Sequence, residues 1–138
     1  MTAKEWLGRG WKLNREIDAL ERAKRRAYDR CISATAQADG QPTGKGGQAS
    51  DGGMSRYAAF AAMVDQRIDR LISVKCETLA VIDQVEDSTL RTLLVHRYIN
   101  FEHWEQIAVD MHYSWRWTMK MHNKALRMVE QLLAKRTC

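Results

Sequence analysis

The chain has 138 residues, 45% of them hydrophobic and 28% charged, with a formal net charge of +5. That length gives one compact domain or two small units, and the apolar content supports a folded protein. No apolar run approaches the roughly 18 residues of a membrane span, and the modest positive excess is consistent with a polyanionic partner without establishing one.

Residues 3–36 read as one long helix. Trp6, Leu13, Leu20 and Ala27 recur every seven residues, with Ile17 and Cys31 on an adjoining row, the spacing of a coiled-coil-like seam. Lys24, Arg25 and Arg26 read as a solvated face rather than a phosphate site. Between Asp39 and Gly53 the pattern breaks: six of the eight glycines and the only proline, Pro42, fall there. Such a run is a flexible connector too polar to bury itself. Its stretch Gly40–Gly46 has a glycine spacing near that of a phosphate loop. It is one residue short, lacks the Ser/Thr after Lys45 and follows a helix where a strand is required, so that reading is rejected.

A second long helix is expected from Ser55 to about Gln84, with Ala61, Val64, Ile68, Leu71, Ile72, Leu79 and Ile82 as its buried stripe. Folded back on the first, it would bring Trp6 and Trp11 near Leu79 and Ile82. Asp87 and Ser88 form a helix start, and Leu90, Leu93, Leu94 and Tyr98 define a third helix that Asn100 closes in a left-handed conformation.

Two helices broken by a very short turn come next. In the first, Trp104, Ile107, Ala108 and Met111 make a single apolar stripe. Ser114 caps the second, where Trp117, Thr118, Met121, Ala125, Met128 and Leu132 cluster on one side. Arg116, Lys120, Asn123 and Arg127 lie on the other side, free for an external partner. A bracing helix followed by a polar-faced helix is how a helix-turn-helix reader of DNA is built. Leu126, Val129 and Leu133 add an apolar row that needs a cover, either the hairpin of the same chain or a second subunit, and a homodimer is the expectation.

The pieces Arg97-Tyr98-Ile99-Asn100, Trp104-Glu105-Gln106-Ile107-Ala108, Tyr113-Ser114 and His122-Asn123-Lys124-Ala125-Leu126 together resemble a family of small phage proteins. These are late-transcription activators and their relatives, whose C-terminal half is similar to the promoter-reading region 4 of bacterial sigma factors. The resemblance covers about Ser88 to Leu133. It implies that the early outward residues of the second helix, here Trp115, Arg116 and Lys120, meet bases. Trp115, Trp117 and Met119 are bulkier and more apolar than is usual there, and the other sigma regions are absent.

The expected fold is all-α: a long N-terminal antiparallel helical hairpin over 1–86, with a flexible connector at 37–54, then a helix-turn-helix domain over 87–138. The expected function is a phage-type transcriptional regulator that binds double-stranded DNA. Trp115, Arg116, Lys120 and Asn123 would read bases, and Arg97, Lys124 and Arg127 would hold phosphates. Two alternatives remain open: a protein-interaction module docking on RNA polymerase, and a small terminase-like DNA-packaging subunit.

Charge follows this division. Residues 1–36 carry nine Lys or Arg against five Asp or Glu, 37–87 carry five against eight, and 88–138 carry eight against four. The second long helix is therefore not expected to touch DNA. Cys31, Cys76 and Cys138 are odd in number and far apart, as free thiols in a reducing cytoplasm would be, and Met1 to Leu20 shows no signal-peptide pattern. His96, His103, His112 and His122 match no zinc spacing, and Glu102 and Glu105 read as solvated carboxylates on an outer helix face. No enzyme, cofactor or metal site is expected.

Overall fold

The computed structural model describes the backbone of residues 1–39 and 46–136, and their side chains outside 34–51. Every regular element among them is helical: α1 (Ala3–Leu7), α2 (Arg9–Asp39), α3 (Gly46–Ile82), α4 (Ser88–Leu94), α5 (Trp104–Met111) and α6 (Trp115–Arg136). A π-helical turn, Val95–Ile99, carries α4 onward. The all-α class read from the periodicity is the one observed. No described helix is long and apolar enough to cross a membrane. The loop-like run Gly40–Lys45 and the thiol of Cys138 lie outside the described residues.

The first helix is interrupted rather than continuous. Thr2 and Glu5 form a reciprocal cap: the Thr2 hydroxyl accepts the Glu5 N–H at 3.2 Å, and the Glu5 carboxylate accepts the Thr2 N–H at 3.1 Å. The helix so started ends at Gly8, a weak helix former, whose N–H donates to Lys4 O at 3.0 Å. α2 starts at the next residue. α3 begins at Gly46, nine residues before the expected Ser55.

The chain divides into two compact units, Met1–Lys12 with Leu71–Cys138, and Leu13–Arg70. In the second unit, the inner row of α2 is Leu13, Ile17, Leu20, Ala27 and Cys31, as the spacing predicted; Ile17 is buried and the others half-buried. Val64 is the buried residue of α3 here, beside half-buried Tyr57, Phe60, Ala61 and Ile68. Glu16 pairs with Arg67, the rings of Tyr28 and Tyr57 lie 5.4 Å apart, and the Cys31 thiol donates to Gly53 O at 3.2 Å.

The first unit holds the larger core. Ala3 and Leu7 of α1 meet Val81, Ile82 and Val85, then Leu90, Leu94 and Tyr98, and finally Ala125 and Val129 of α6. Ile72 and Leu79, expected in the α3 stripe, are exposed; both stand at the margin of a row whose centre runs Leu71, Thr78 and Ile82. Thr78 is accommodated because its hydroxyl donates to Val74 O at 2.7 Å. Trp6 packs against the cluster that holds Ile82, but Trp11 lies edge-on to Phe101 at 5.5 Å.

Gly10 permits that approach, since a Cβ there would stand 3.0 Å from Phe101 Cζ and 3.3 Å from Leu71 Cδ1. Val129, expected to need a cover, is fully buried, because α1 and α4 both pack on α6. The row Leu126, Val129 and Leu133 thus has its cover within the same chain.

Candidate nucleic-acid interface

α4 starts where Asp87 predicted, its carboxylate accepting the N–H of Thr89 at 2.8 Å and of Leu90 at 3.4 Å. Its end departs from expectation. Asn100 keeps right-handed backbone angles, and Phe101 takes the left-handed ones, with φ of 56°. The π turn inserts an extra residue, closed by the Asn100 N–H on Val95 O at 3.0 Å, so reversal falls one position later.

α5 buries Ile107 and Ala108 and half-buries Trp104 and Met111, the stripe read from the sequence. It ends in His112, left-handed at φ 59°. The Tyr113 N–H donates to Ala108 O at 2.9 Å and the His112 N–H to Val109 O at 3.2 Å, a Schellman closure that usually takes glycine. Two residues further on, the Ser114 hydroxyl accepts the Trp117 N–H at 3.2 Å, and α6 begins.

The inner row of α6 is Thr118, His122, Ala125 and Val129. At about 100° per residue, Arg116, Lys120, Asn123 and Arg127 stand on the opposite side. All four are exposed, as are Trp115 and Lys124. None of the cations Arg116, Lys120, Lys124 and Arg127 has an acidic partner among the described residues. Trp117, expected to point inward, is 44% exposed. It lies about 110° from the buried centre, edge-on to Tyr113 at 6.4 Å, with Lys120 Nζ 5.6 Å above its ring.

Arg97, expected to hold a phosphate, is half-buried and has partners within the chain. Its guanidinium stands 4.3 Å from the Trp11 ring and 4.7 Å from the Trp104 ring, and donates to Glu102 O at 2.9 Å. Burial lowers its pKa from the usual value, against the opposing influence of Tyr98 and Glu105. It is a stacked strut joining the α4–α5 connection to the first residues of α2.

His122, which helical spacing alone assigned to neither face of α6, is a buried member of the scaffold. Its ring lies 4.4 Å from that of Trp104, and its Nε2 is 2.6 Å from the Tyr98 hydroxyl. Burial, with Lys4 and Arg97 adding, pushes the imidazole down to about 4, while burial raises the Tyr98 phenol to about 12. Both are neutral at pH 7, and the phenol O–H donating to Nε2 satisfies the pair.

Glu102 lies in the α4–α5 connection and not on a helix face, its carboxylate 2.7 Å from His96 Nδ1. Asp110, on the last turn of α5, brings a third potential donor to that pair.

No protein-family model matches the chain, and neither a curated protein nor a solved structure does.

Proposed function

We propose that the chain binds duplex DNA through α5 and α6 acting as a helix-turn-helix, and regulates transcription in the manner of the small phage activators it resembles. One observation carries this reading. Arg116, Lys120, Asn123 and Arg127 form an exposed polar row without acidic partners among the described residues, opposite the row that anchors α6 and beginning in the first turn after its capped N-terminus. A reading helix needs that arrangement: an inner face fixed by packing and an outer face whose donors reach base edges and phosphates. In this reading Arg116 and Lys120 meet bases, Asn123 a base or phosphate, and Lys124 and Arg127 phosphates. The part taken by α2 and α3 is a helical hairpin, supported by later residues of one meeting earlier residues of the other. A homodimer is part of the proposal only because DNA readers of this size commonly gain affinity by engaging two half-sites.

The contrast between two substitutions tests it. Arg116→Ala should cost about 1–3 kcal/mol on a selected site and flatten discrimination at one base pair, because its planar fork suits guanine O6 and N7. Lys124→Ala should weaken all sequences alike and lower the slope of log affinity against log salt by about one. Binding to a randomised duplex library reads both; wild-type protein with no salt-dependent affinity would sink the proposal.

A second reading, docking on a protein such as RNA polymerase, is favoured by the apolar rim of the turn. Val109 is 68%, Trp115 52% and Trp117 44% exposed. Trp115→Ser that keeps DNA affinity but loses polymerase binding would favour it.

A further inference from the structure

We propose that His96, Glu102 and Asp110 form a binding site for a first-row divalent transition-metal ion of the zinc class. The donor atoms of the three side chains all lie within 4.8 Å of one another. They come from three places: the π turn, the α4–α5 connection and the last turn of α5. Local backbone brings the first two together, since the Glu102 N–H donates to His96 O at 3.0 Å after Phe101 reverses the chain.

The chemistry of the set fits an ion better than a simple ion pair. Four-coordinate zinc with bonds of about 2.0–2.1 Å holds its ligands about 3.3 Å apart, close to the separations of at most 4.8 Å in this set. One imidazole nitrogen with two carboxylates suits borderline ions such as Zn²⁺ and Co²⁺; Mg²⁺ and Ca²⁺ demand more oxygens. Neither carboxylate has a Lys or Arg partner among the described residues, so two negative charges face a single histidine. Gln106 Nε2 donates to Asp110 Oδ1 at 2.8 Å, which orients that carboxylate and leaves its second oxygen to ligate. His96 and Glu102 are half-buried and Asp110 exposed, so the site has an entry path and a position open to water.

An ion held there ties the end of α5 to the π turn, two residues before the reversal that leads into α6. Its presence therefore stiffens the approach to α6 whether or not that helix reads DNA.

The test uses the tag-free full chain. Co²⁺ titration should give a visible d–d band and saturate at one ion per chain, and Zn²⁺ should displace it and raise the melting temperature. Asp110→Asn, at an exposed position that folding tolerates, should weaken Zn²⁺ binding about tenfold or more, and His96→Gln should do the same. His103→Gln, outside the set, should leave affinity unchanged. Absence of one-to-one binding, or binding that Asp110→Asn and His96→Gln leave intact, overturns the proposal.

Discussion

The two compact units are built from the same kind of helix and hold very different cores. In residues 13–70 the buried apolar side chains among those described are Ile17 and Val64. In residues 1–12 and 71–136 they include Leu7, Ile82, Leu90, Leu93, Leu94, Ile107 and Val129, all but inaccessible to water. Two helices alone bury one stripe each, whereas α1, α4 and α5 approach α6 from several sides and enclose its inner row. The difference teaches where stability resides. α6 is anchored in the unit with the larger core, and residues 13–70 are expected to open at lower cost.

The largest expected effect is on an isolated piece. Residues 87–138 contain the three C-terminal helices, and from sequence alone they read as a self-standing domain. The core beneath them is filled by Ala3, Leu7, Val81, Ile82 and Val85 from outside that piece. Cut free, 87–138 is expected to lack a cooperative thermal transition. A sharp melt of the segment would show that the inner row of α6 finds enough cover from α4 and α5.

Two identical substitutions compare the units directly. Val129 and Val64 are both about fully buried, and each becomes Ala by losing the same two methyl groups. Val129→Ala should lower global stability by about 2 kcal/mol in denaturant unfolding, transfer and cavity terms together. Val64→Ala should leave that transition nearly in place and instead speed hydrogen exchange of amides in 13–70. Equal shifts of the global transition would mean that the chain unfolds as one cooperative body.

The pH dependence belongs to the first unit as well. His122 is held at about 4 in the folded chain, below its unfolded value near 6.5. Between these values the unfolded chain carries a proton that the folded chain does not. Its contribution is therefore complete above pH 6.5 and is lost as pH falls toward 4, about 2–3 kcal/mol allowing for screening. His122→Gln, which keeps a partner for Tyr98, should flatten the difference between melts at pH 7 and pH 4.5. Opening of 13–70, followed by hydrogen exchange, should not share that dependence.

Much of the α5–α6 geometry was legible in the sequence because it is local. The stripe of Trp104, Ile107 and Ala108, the caps at Asp87 and Ser114, and the exposure of Arg116, Lys120 and Asn123 follow from helical spacing and turn chemistry. What spacing did not disclose depends on distant partners. Arg97 stacks on Trp11, a residue 86 positions earlier, so its role was invisible from its neighbours. Trp117 was placed inward by phase together with Thr118, but Thr118 alone holds the inner position, its hydroxyl donating to Ser114 O at 2.8 Å. His122 was given no place on either face, because its partner Tyr98 lies 24 residues away. The π turn shifted the left-handed residue from Asn100, the statistical favourite, to Phe101.

The smallest effects come from backbone conformation and give the finest comparison of the units. His112 sits at φ 59°, where a side chain costs roughly 1–2 kcal/mol and glycine nothing comparable. Glycine also adds freedom to the unfolded chain, which offsets about half of that gain. His112→Gly should therefore raise global stability by about 0.5 kcal/mol, and the rise should appear in the main unfolding transition, because α5 belongs to the larger core. Gly52 is the counterpart in the other unit: it lies within α3, and a Cβ there would meet nothing within 4 Å. Gly52→Ala should stabilise the helix locally by up to about 1 kcal/mol. If 13–70 opens on its own, that gain slows amide exchange around residue 52 and leaves the melting temperature where it was. A rise in melting temperature as large as that from His112→Gly would instead place α3's first turns within the same cooperative unit as α6.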